Sequence, residues 1–204
     1  MLFVDHGIFR VIYNNRFMLP GGLFRCSNPS PGQIRRYQKK YGIKTIINLR
    51  GEDTTRRYAL EEQACEDLGV RLVNFKGIWS RSAPNPVAIK EMREIFDSIE
   101  YPALLHCKSG ADRAGFAAAL YRLFRLGEPV KDAMRELDWR YGHIRASKTG
   151  VLDAFFDEYL TYNAKQPIDF EVWMNTVYHR DTLAARYEGR GLANFFVDKV
   201  LHRE

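Results

Sequence analysis

Three short apolar segments, separated from one another by helical patterns, constrain the fold of this chain more than any other feature. They are KTIINL at 44–49, VRLVNF at 70–75 and YPALLHC at 101–107. Each has the length of a strand, and the β-branched apolar segment KTIINL is best explained as a strand that is buried on both faces. Because strands that alternate with helices are joined by parallel crossovers, we predict an α/β fold with a central, mostly parallel sheet flanked by helices.

Capping and turn signals predict where the intervening helices begin and end. Ser30-Pro31-Gly32-Gln33 has the form of a capping box with proline at the first helical position, which predicts a helix over 31–41. Further helices are expected over 54–68, ending at Gly69, and from Pro86 to about Ile99.

The last third of the chain carries helical patterns without strand signals. Helices are predicted within 130–142, 150–162, 170–180 and 191–203. Since no linker of useful length precedes them, we expect a single domain over 1–204, in which a core over 1–145 carries a helical C-terminal extension over 146–204.

Composition excludes several classes of protein. Hydrophobic residues make up 46% and charged residues 27%, which is typical of a globular chain and not of a disordered one. The first twenty residues contain four charged or titratable side chains and no run of membrane-spanning length occurs, so we expect a cytoplasmic protein. Cys26, Cys65 and Cys107 are odd in number and widely spaced, which predicts reduced thiols without a disulfide framework or a zinc site.

The net charge of +6 is concentrated near the amino terminus, where residues 1–50 contain nine Lys or Arg and one acid. Four of these cations are expected on one face of the helix over 31–41: Arg35, Arg36, Lys39 and Lys40. A solvated helix face is one interpretation. The other is steering of an anionic substrate, or peripheral contact with an anionic membrane surface. No nucleic-acid partner is expected.

The segment HCKSGADRAG, residues 106–115, lies where a predicted strand ends and a helix begins. A tight loop between Cys107 and a helix starting near residue 112 can turn its backbone amides inward and bind an anion, and Gly110 permits the backbone conformation that such a loop needs. The same field favours a thiolate at Cys107, and Arg113 offers a planar fork to two phosphate oxygens. The alternative is a buried cysteine and an arginine paired with a nearby acid, but the strand, loop and helix context favours a nucleophile.

HCKSGADR resembles the C-x5-R signature of the cysteine-dependent protein tyrosine and dual-specificity phosphatases. LFRCSNPSPGQI and IKTIINLRGE resemble the amino-terminal part of small bacterial dual-specificity-like members, so that the similarity extends from about Tyr13 to His143. The resemblance implies a phosphorylated substrate that is hydrolysed through a cysteinyl-phosphate, with Cys107 as the nucleophile and Arg113 as the phosphate clamp. It implies no cofactor and no metal ion.

The chain departs from the family pattern at two positions. Many members place an aspartate general acid on a separate loop before the signature, but no carboxylate occurs between Asp67 and Glu91. We therefore assign the acid to Asp112, as in the myotubularins and certain bacterial lipid and protein phosphatases that it resembles here; the alternative is that Asp112 caps the helix or pairs with a surface arginine. Ala114 replaces the usual Ser or Thr, which predicts slow hydrolysis of the phosphocysteine.

Substrate-binding roles are predicted for the remaining residues of the segment and for the preceding loop. The residues predicted to bind substrate are Arg81 of the preceding loop and His106, Lys108, Ser109, Gly110 and Ala111 of the segment. Lys108 either contacts a second phosphate or faces solvent, and His106 is expected to hold the loop from behind. Arg81 and Trp79 could form one wall of the substrate site. The alternative for Trp79 is that its ring covers the core. His143 is expected to be a packed or surface histidine.

The substrate class stays open at this stage. Phosphotyrosine or phosphoserine/threonine proteins are what the resemblance implies first, whereas Lys108, Asp112 and the basic amino-terminal region favour a phospholipid, phosphoinositide or phosphosugar. More distant alternatives are a sulfurtransferase or arsenate reductase, which would need further redox cysteines within reach, and a phosphate-binding module without activity.

Overall fold

Five strands form one mixed sheet in the computed structural model, which describes residues 17–188. They are β1 Phe17–Leu19, β2 Leu23–Ser27, β3 Thr45–Asn48, β4 Arg71–Asn74 and β5 Ala103–Cys107, in the spatial order β1-β2-β5-β3-β4. Among these described strands, β1 alone pairs antiparallel with its neighbour, while the other three pairings are parallel. The predicted α/β fold with a mostly parallel sheet is confirmed.

Eight helices are described, and their bounds are α1 Pro31–Tyr41, α2 Arg56–Asp67, α3 Pro86–Ser98, α4 Asp112–Leu126, α5 Val130–Ala133, α6 Val151–Asn163, α7 Phe170–Thr176 and α8 Arg180–Glu188. The capping box predicted for α1 is present, since the Ser30 hydroxyl accepts from the Gln33 amide and the Gln33 side chain accepts from the Ser30 amide. None of the described helices has the length and apolar character needed to span a membrane.

The C-terminal third differs from its prediction in two places. The segment 130–142 is not one helix, because Leu137 and Asp138 leave helical conformation and the Asp138 side chain caps a separate 3-10 turn over Trp139–Tyr141. The helix predicted over 170–180 ends at Thr176, and α8 begins at Arg180. The helix predicted over 191–203 lies outside the described residues.

The sheet is covered on both faces, and alternate residues of each strand contribute to opposite layers of the core. Leu104 of β5 packs in the layer formed with α1 and α2, whereas Leu105 and Cys107 face the larger layer, to which α3, α4, α6 and α7 contribute. In the larger layer, Phe116 of α4 packs against Phe155 and Phe156 of α6. All residues of β2, β3 and β5 are therefore buried, whereas β4, at the edge of the sheet, has exposed and half-buried residues.

The carboxyl ends of the parallel strands meet at one edge of the sheet. Ser27 pairs with Cys107, Asn48 pairs with His106, and Asn48 also pairs with Asn74. The segments that follow β2, β3, β4 and β5 consequently all start at this edge, which is where ligands bind in open α/β sheets.

Candidate active site

Cys107 is the last residue of β5, and its sulfur lies at the base of the loop that leads into α4. The amide of Gly110 donates a hydrogen bond to Sγ at 3.2 Å, and 2% of Cys107 is exposed. A backbone donor directed at sulfur stabilises the negative charge of a thiolate. The structure thus places the predicted nucleophile at the base of the loop, with a backbone donor directed at its sulfur.

The carbonyl groups of the loop are bonded to the protein behind it. Lys108 O accepts from the Asn28 amide at 3.3 Å, and Arg25 Nη2 donates to Gly110 O at 2.8 Å and to Ala111 O at 3.1 Å. In a trans peptide unit the C=O and the following N–H point in opposite directions. The amides of Ser109, Ala111 and Asp112 are therefore directed away from this support, as an anion-binding loop requires.

Arg25, which fastens the loop, is a buried cation in β2 that our sequence analysis missed. It is 1% exposed, its Nη1 lies 2.8 Å from Glu136 Oε2, and its guanidinium stacks 4.3 Å from the ring centre of Tyr141. Glu136 also accepts from Arg122 Nε at 2.6 Å. The available sequence signal was a lone arginine within the otherwise apolar strand segment LFRC, which needs a buried counter-charge.

Gly110 allows the loop to lie directly against β2. Its φ is +80°, and a Cβ at this position would come within 2.7 Å of the Cys26 carbonyl carbon and of the Ser27 nitrogen. Neither atom can move without displacing the strand. The predicted need for glycine thus has two causes, the left-handed backbone and the close approach of two chain segments.

Arg113 lies in the first turn of α4 and is half-buried. Its Nη1 donates to Leu49 O at 3.4 Å, and the Leu49 amide in turn donates to His106 O at 2.9 Å. The guanidinium is therefore held at the carboxyl edge of the sheet, beside the strand end that carries Cys107. The two signature residues occupy the same edge, as their predicted roles require.

The other loop residues divide into two groups. Lys108 and Ser109 are half-buried, a position compatible with their predicted contact with substrate. His106 is fully buried, and its Nε2 lies 2.6 Å from Glu61 Oε1 on α2. Its assignment to the substrate-binding set is corrected, because a ring enclosed beneath the sheet edge supports the loop without touching a ligand.

Asp112, the predicted acid, belongs to a buried group of three side chains. Its Oδ1 lies 2.7 Å from Nδ1 of His143, and Nε2 of His143 lies 2.6 Å from Oδ2 of Asp153 on α6. Burial lowers the pKa of His143, but the hydrogen bonds and charges of the two carboxylates outweigh it and raise that pKa to about 9. His143 is thus packed, as one of the two predictions had it, but its carboxylate partners were not foreseen.

Arg81 and Trp79 lie on the loop between β4 and α3, which starts at the same sheet edge. Trp79 is 54% exposed, so it does not cover the core, and it borders a cavity of about 370 Å³ that also reaches Phe116 of α4. Arg81 borders a neighbouring cavity of about 430 Å³ together with Lys148 and Arg180.

The remaining cysteines face the opposite side of the sheet from Cys107. Cys26 and Cys65 pack in the layer with α1 and α2, whereas Cys107 faces the opposite layer. Burial raises the pKa of Cys65 to about 12, which keeps it as an unreactive thiol. An arsenate-reductase mechanism, which needs a second cysteine within reach of the first, therefore has no support from this arrangement.

Within residues 17–188, no cluster of His, Cys, Asp or Glu side chains is arranged to hold a metal ion. The Asp112, His143 and Asp153 group does not qualify, because its carboxylates bind opposite nitrogens of one imidazole and cannot converge on a common point.

The chain shares its fold with several solved structures. TpbA from P. aeruginosa superposes with a TM-score of 0.57 at 18% identity, covering 86% of this chain and 91% of that one. The active form of Tk-PTP gives 0.54 at 19% identity over 70% of this chain and 96% of that one. The core catalytic domain of the PP-IP phosphatase SIW14 from S. cerevisiae gives a TM-score of 0.53 at 18% identity and covers 74% of this chain and 91% of that one. No protein with a curated function shows significant sequence similarity.

The family comparison matches the segment that builds this site. A family model described as DSP-PTPase phosphatase fused to NAD+ kinase matches residues 25–149, a segment that begins at Arg25, contains the whole C-x5-R loop and includes His143. Because the match covers more than half of the 204 residues, this chain belongs to that family and is a cysteine-dependent phosphatase of the dual-specificity-like superfamily.

Proposed function

We propose that the protein hydrolyses phosphomonoesters through a phosphorylated Cys107. The observation that carries this proposal is the Gly110 amide on Sγ at 3.2 Å within a loop whose carbonyls are bonded elsewhere. The inward amides and Arg113 would hold the non-bridging oxygens of the phosphoryl group, and the thiolate would attack phosphorus opposite the leaving oxygen.

Proton transfer completes the proposed reaction. Asp112 gives its proton to the leaving oxygen as the P–O bond breaks and the S–P bond forms. Water then attacks the phosphocysteine, Asp112 takes one of the water protons, and inorganic phosphate leaves as the S–P bond breaks. Each proton and each bond is accounted for without a further reactant.

The phosphocysteine can be tested directly. After acid quench during turnover of an aryl phosphate, mass spectrometry of the wild type should find one phosphoryl group on the peptide that contains Cys107. Cys107→Ser should show neither this adduct nor turnover. Turnover that persists in Cys107→Ser would reject the proposal, and phosphate binding without any turnover by the wild type would identify a binding module.

The first candidate substrates are phosphoproteins. The cavity of about 370 Å³ is bordered by Trp79, Val87 and Phe116 and also by the charged residues Lys76, Glu91 and Arg180. Its aromatic and aliphatic side chains suit the ring of a phosphotyrosine. A TpbA variant has been solved in complex with pTyr. A panel of phosphotyrosine and phosphoserine peptides should therefore give a higher kcat/KM than phosphosugars or phosphoinositides, and the reverse order would reject this substrate class.

A second candidate is a substrate with a further anionic group, such as a phosphoinositide or a phosphosugar. The cavity of about 430 Å³ is bordered by three cationic residues, Arg81, Lys148 and Arg180, and by one acid, Asp181. It shares Ala83 and Arg180 with the aromatic cavity, so that one ligand could extend into both.

Replacing two cationic residues that border this cavity distinguishes between the two candidate substrate classes. For a substrate with two phosphate groups, Arg81→Ala with Lys148→Ala should raise KM about 10-fold and leave KM for a monophosphorylated aryl substrate unchanged, since each cation contributes about 0.5–1 kcal/mol at an accessible site. Lys165→Ala, an exposed cation bordering a different cavity, is the control. An equal rise for both substrates would reject the second candidate.

Contact with an anionic membrane surface is a further proposal, and it concerns α1. Ile34 and Tyr37 face the core while Arg35, Arg36, Lys39 and Lys40 are exposed, as the amphipathic pattern predicted. If this face docks on acidic lipids, sedimentation with phosphatidylserine vesicles should fall when the four cations are replaced by Gln, and should not depend on Cys107. Binding that is unchanged by the replacement would reject the proposal.

A further inference from the structure

Asp112, His143 and Asp153 form a continuous hydrogen-bonded chain that leads from the anion-binding loop into the core. The two N···O distances are 2.7 Å and 2.6 Å, and the side chains of Asp112, His143 and Asp153 are 9%, 1% and 4% exposed. Asp112 opens α4, Asp153 lies in the first turn of α6, and His143 follows the 3-10 turn between them. Three separate elements therefore converge on one imidazole.

The number of protons in this chain follows from its geometry. Each short contact between an imidazole nitrogen and a carboxylate oxygen requires one proton, so the two contacts require two. A neutral imidazole carries a single N–H. The group must therefore hold one additional proton, either on the ring as imidazolium or on one of the carboxyl groups.

We propose that His143 is a positioning residue that shares this additional proton with Asp112, and that Asp153 retains it in the buried group, so that Asp112 can act as the general acid. The inference rests on the phosphatase reaction proposed above and explains how a carboxyl group in the loop obtains its proton. It assigns roles to two residues, His143 and Asp153, that lie outside the signature segment.

The transfer balances within the group. The group starts with two protons, one in each contact between the imidazole and a carboxylate. The proton of the Nδ1 contact passes through Asp112 to the leaving oxygen, which leaves Asp112 ionised and the ring neutral, with its Nε2–H still donating to Asp153. In the second step a proton from the attacking water enters at Asp112 and restores the Nδ1–H. Bonds and charges return to their starting state after one turnover.

The carboxylates that interact with His143 all act in the same direction. Asp112 faces it from α4 and Asp153 from α6, and the negative charge of Asp138 in the preceding segment also interacts with it. The guanidinium of Arg145 acts in the opposite direction: its Nη1 lies 3.9 Å from Asp153 Oδ1, while its Nη2 pairs with Asp157 Oδ2 at 2.5 Å. Acidic surroundings thus favour retention of the extra proton.

The test compares leaving groups and pH profiles in His143→Asn and Asp153→Asn. An alkyl phosphate needs a protonated leaving group, so its kcat should fall about 100-fold in His143→Asn, whereas kcat for a nitrophenyl ester should change by less than about 3-fold. In Asp153→Asn the basic limb of kcat/KM for the alkyl phosphate should move to lower pH, because an anion that retains the proton is gone. If the two residues had a merely structural role, kcat would fall equally for both substrates and the basic limb of the pH profile would stay in place.

The matched control is Asp157→Asn, which makes the same substitution one turn further along α6 at a half-exposed residue paired with Arg145. This variant should leave kcat for both substrates and the basic limb of the pH profile unchanged. Unchanged limbs in Asp153→Asn, or equal losses for both substrates in His143→Asn, would overturn the inference. Such a result is distinct from failure of the proposed reaction itself, in which the wild type would form no phosphocysteine with the nitrophenyl ester.

Discussion

Nη1 of Arg25 and Oε2 of Glu136 meet at 2.8 Å behind the anion-binding loop, although 111 residues separate them in the chain. The same guanidinium donates through Nη2 to two loop carbonyls. The orientation of the loop amides therefore depends on a buried ion pair that belongs to neither end of the C-x5-R segment. Glu136 is shared with Arg122 at 2.6 Å, which extends the support to α4.

Arg25→Met should lower the free energy of unfolding by about 3–5 kcal/mol, because it removes one partner of a buried pair and leaves two loop carbonyls without their donor. It should also lower kcat/KM, since the amides lose their fixed direction. Urea unfolding and turnover of an aryl phosphate measure the two effects. Arg135→Met is the control, because Arg135 pairs with Glu128 at the surface with 52% of its side chain exposed and should cost about 0–1 kcal/mol. Equal losses in the two variants would contradict this role of Arg25.

Gly110→Ala should reduce kcat on the order of 100-fold, because the added Cβ meets the β2 backbone at 2.7 Å and displaces the amide that binds Sγ. The matched control is Gly127→Ala after α4, where φ is +64° and no atom lies within 4 Å of the added Cβ. Both variants carry the left-handed strain of about 1–2 kcal/mol. If Gly127→Ala loses as much activity as Gly110→Ala, backbone strain and not loop geometry would be the cause.

Ala114→Ser should accelerate breakdown of the phosphocysteine. A hydroxyl at the position where the family usually carries Ser or Thr can donate to the departing sulfur, and a hydrogen bond to a charged group of this kind corresponds to about a 10-fold change in rate. Rapid-quench experiments should show a burst of phosphoenzyme in the wild type and a smaller burst in Ala114→Ser. Ala117→Ser places the same hydroxyl at another fully buried position of α4 and should leave the burst unchanged. Absence of a burst in the wild type would show that Ala114 does not limit turnover.

The features that could be predicted from sequence are those set by neighbouring residues. The strand ending at Cys107, the glycine-containing loop and the helix beginning at Asp112 lie within one short segment, and local periodicity and turn chemistry determine such a segment. The capping box of α1 is equally local. These features place Cys107 and Arg113 at the same edge of the sheet.

The features that escaped prediction depend on contacts between distant segments. His143 is 31 residues from Asp112 and 10 from Asp153, and Glu61 reaches His106 from a different helix. A lone histidine or a lone acid carries no sign of its partner, since pairing of this kind is decided by how the helices pack on the sheet. The charged partners of His143 and His106 could therefore be identified from the structure and not from the sequence.

His143 should also couple folding to pH. Its pKa in the folded protein is raised from 6.5 to about 9 by the carboxylates of Asp112 and Asp153, which outweigh the opposing effect of burial. A raised pKa means that the folded state binds the proton more tightly than the unfolded chain, so the stabilisation is complete below about pH 6.5 and is lost as the pH rises through about 9. At 1.36 kcal/mol per pKa unit, the part of the stabilisation that is lost is on the order of 3 kcal/mol.

Urea unfolding of the wild type between pH 6 and pH 10 should show this decline in the free energy of unfolding. His143→Asn should lack the decline and should be less stable than the wild type at neutral pH. His179→Asn, which removes an exposed histidine, should retain the decline, and the same slope in His143→Asn would show that another group is responsible.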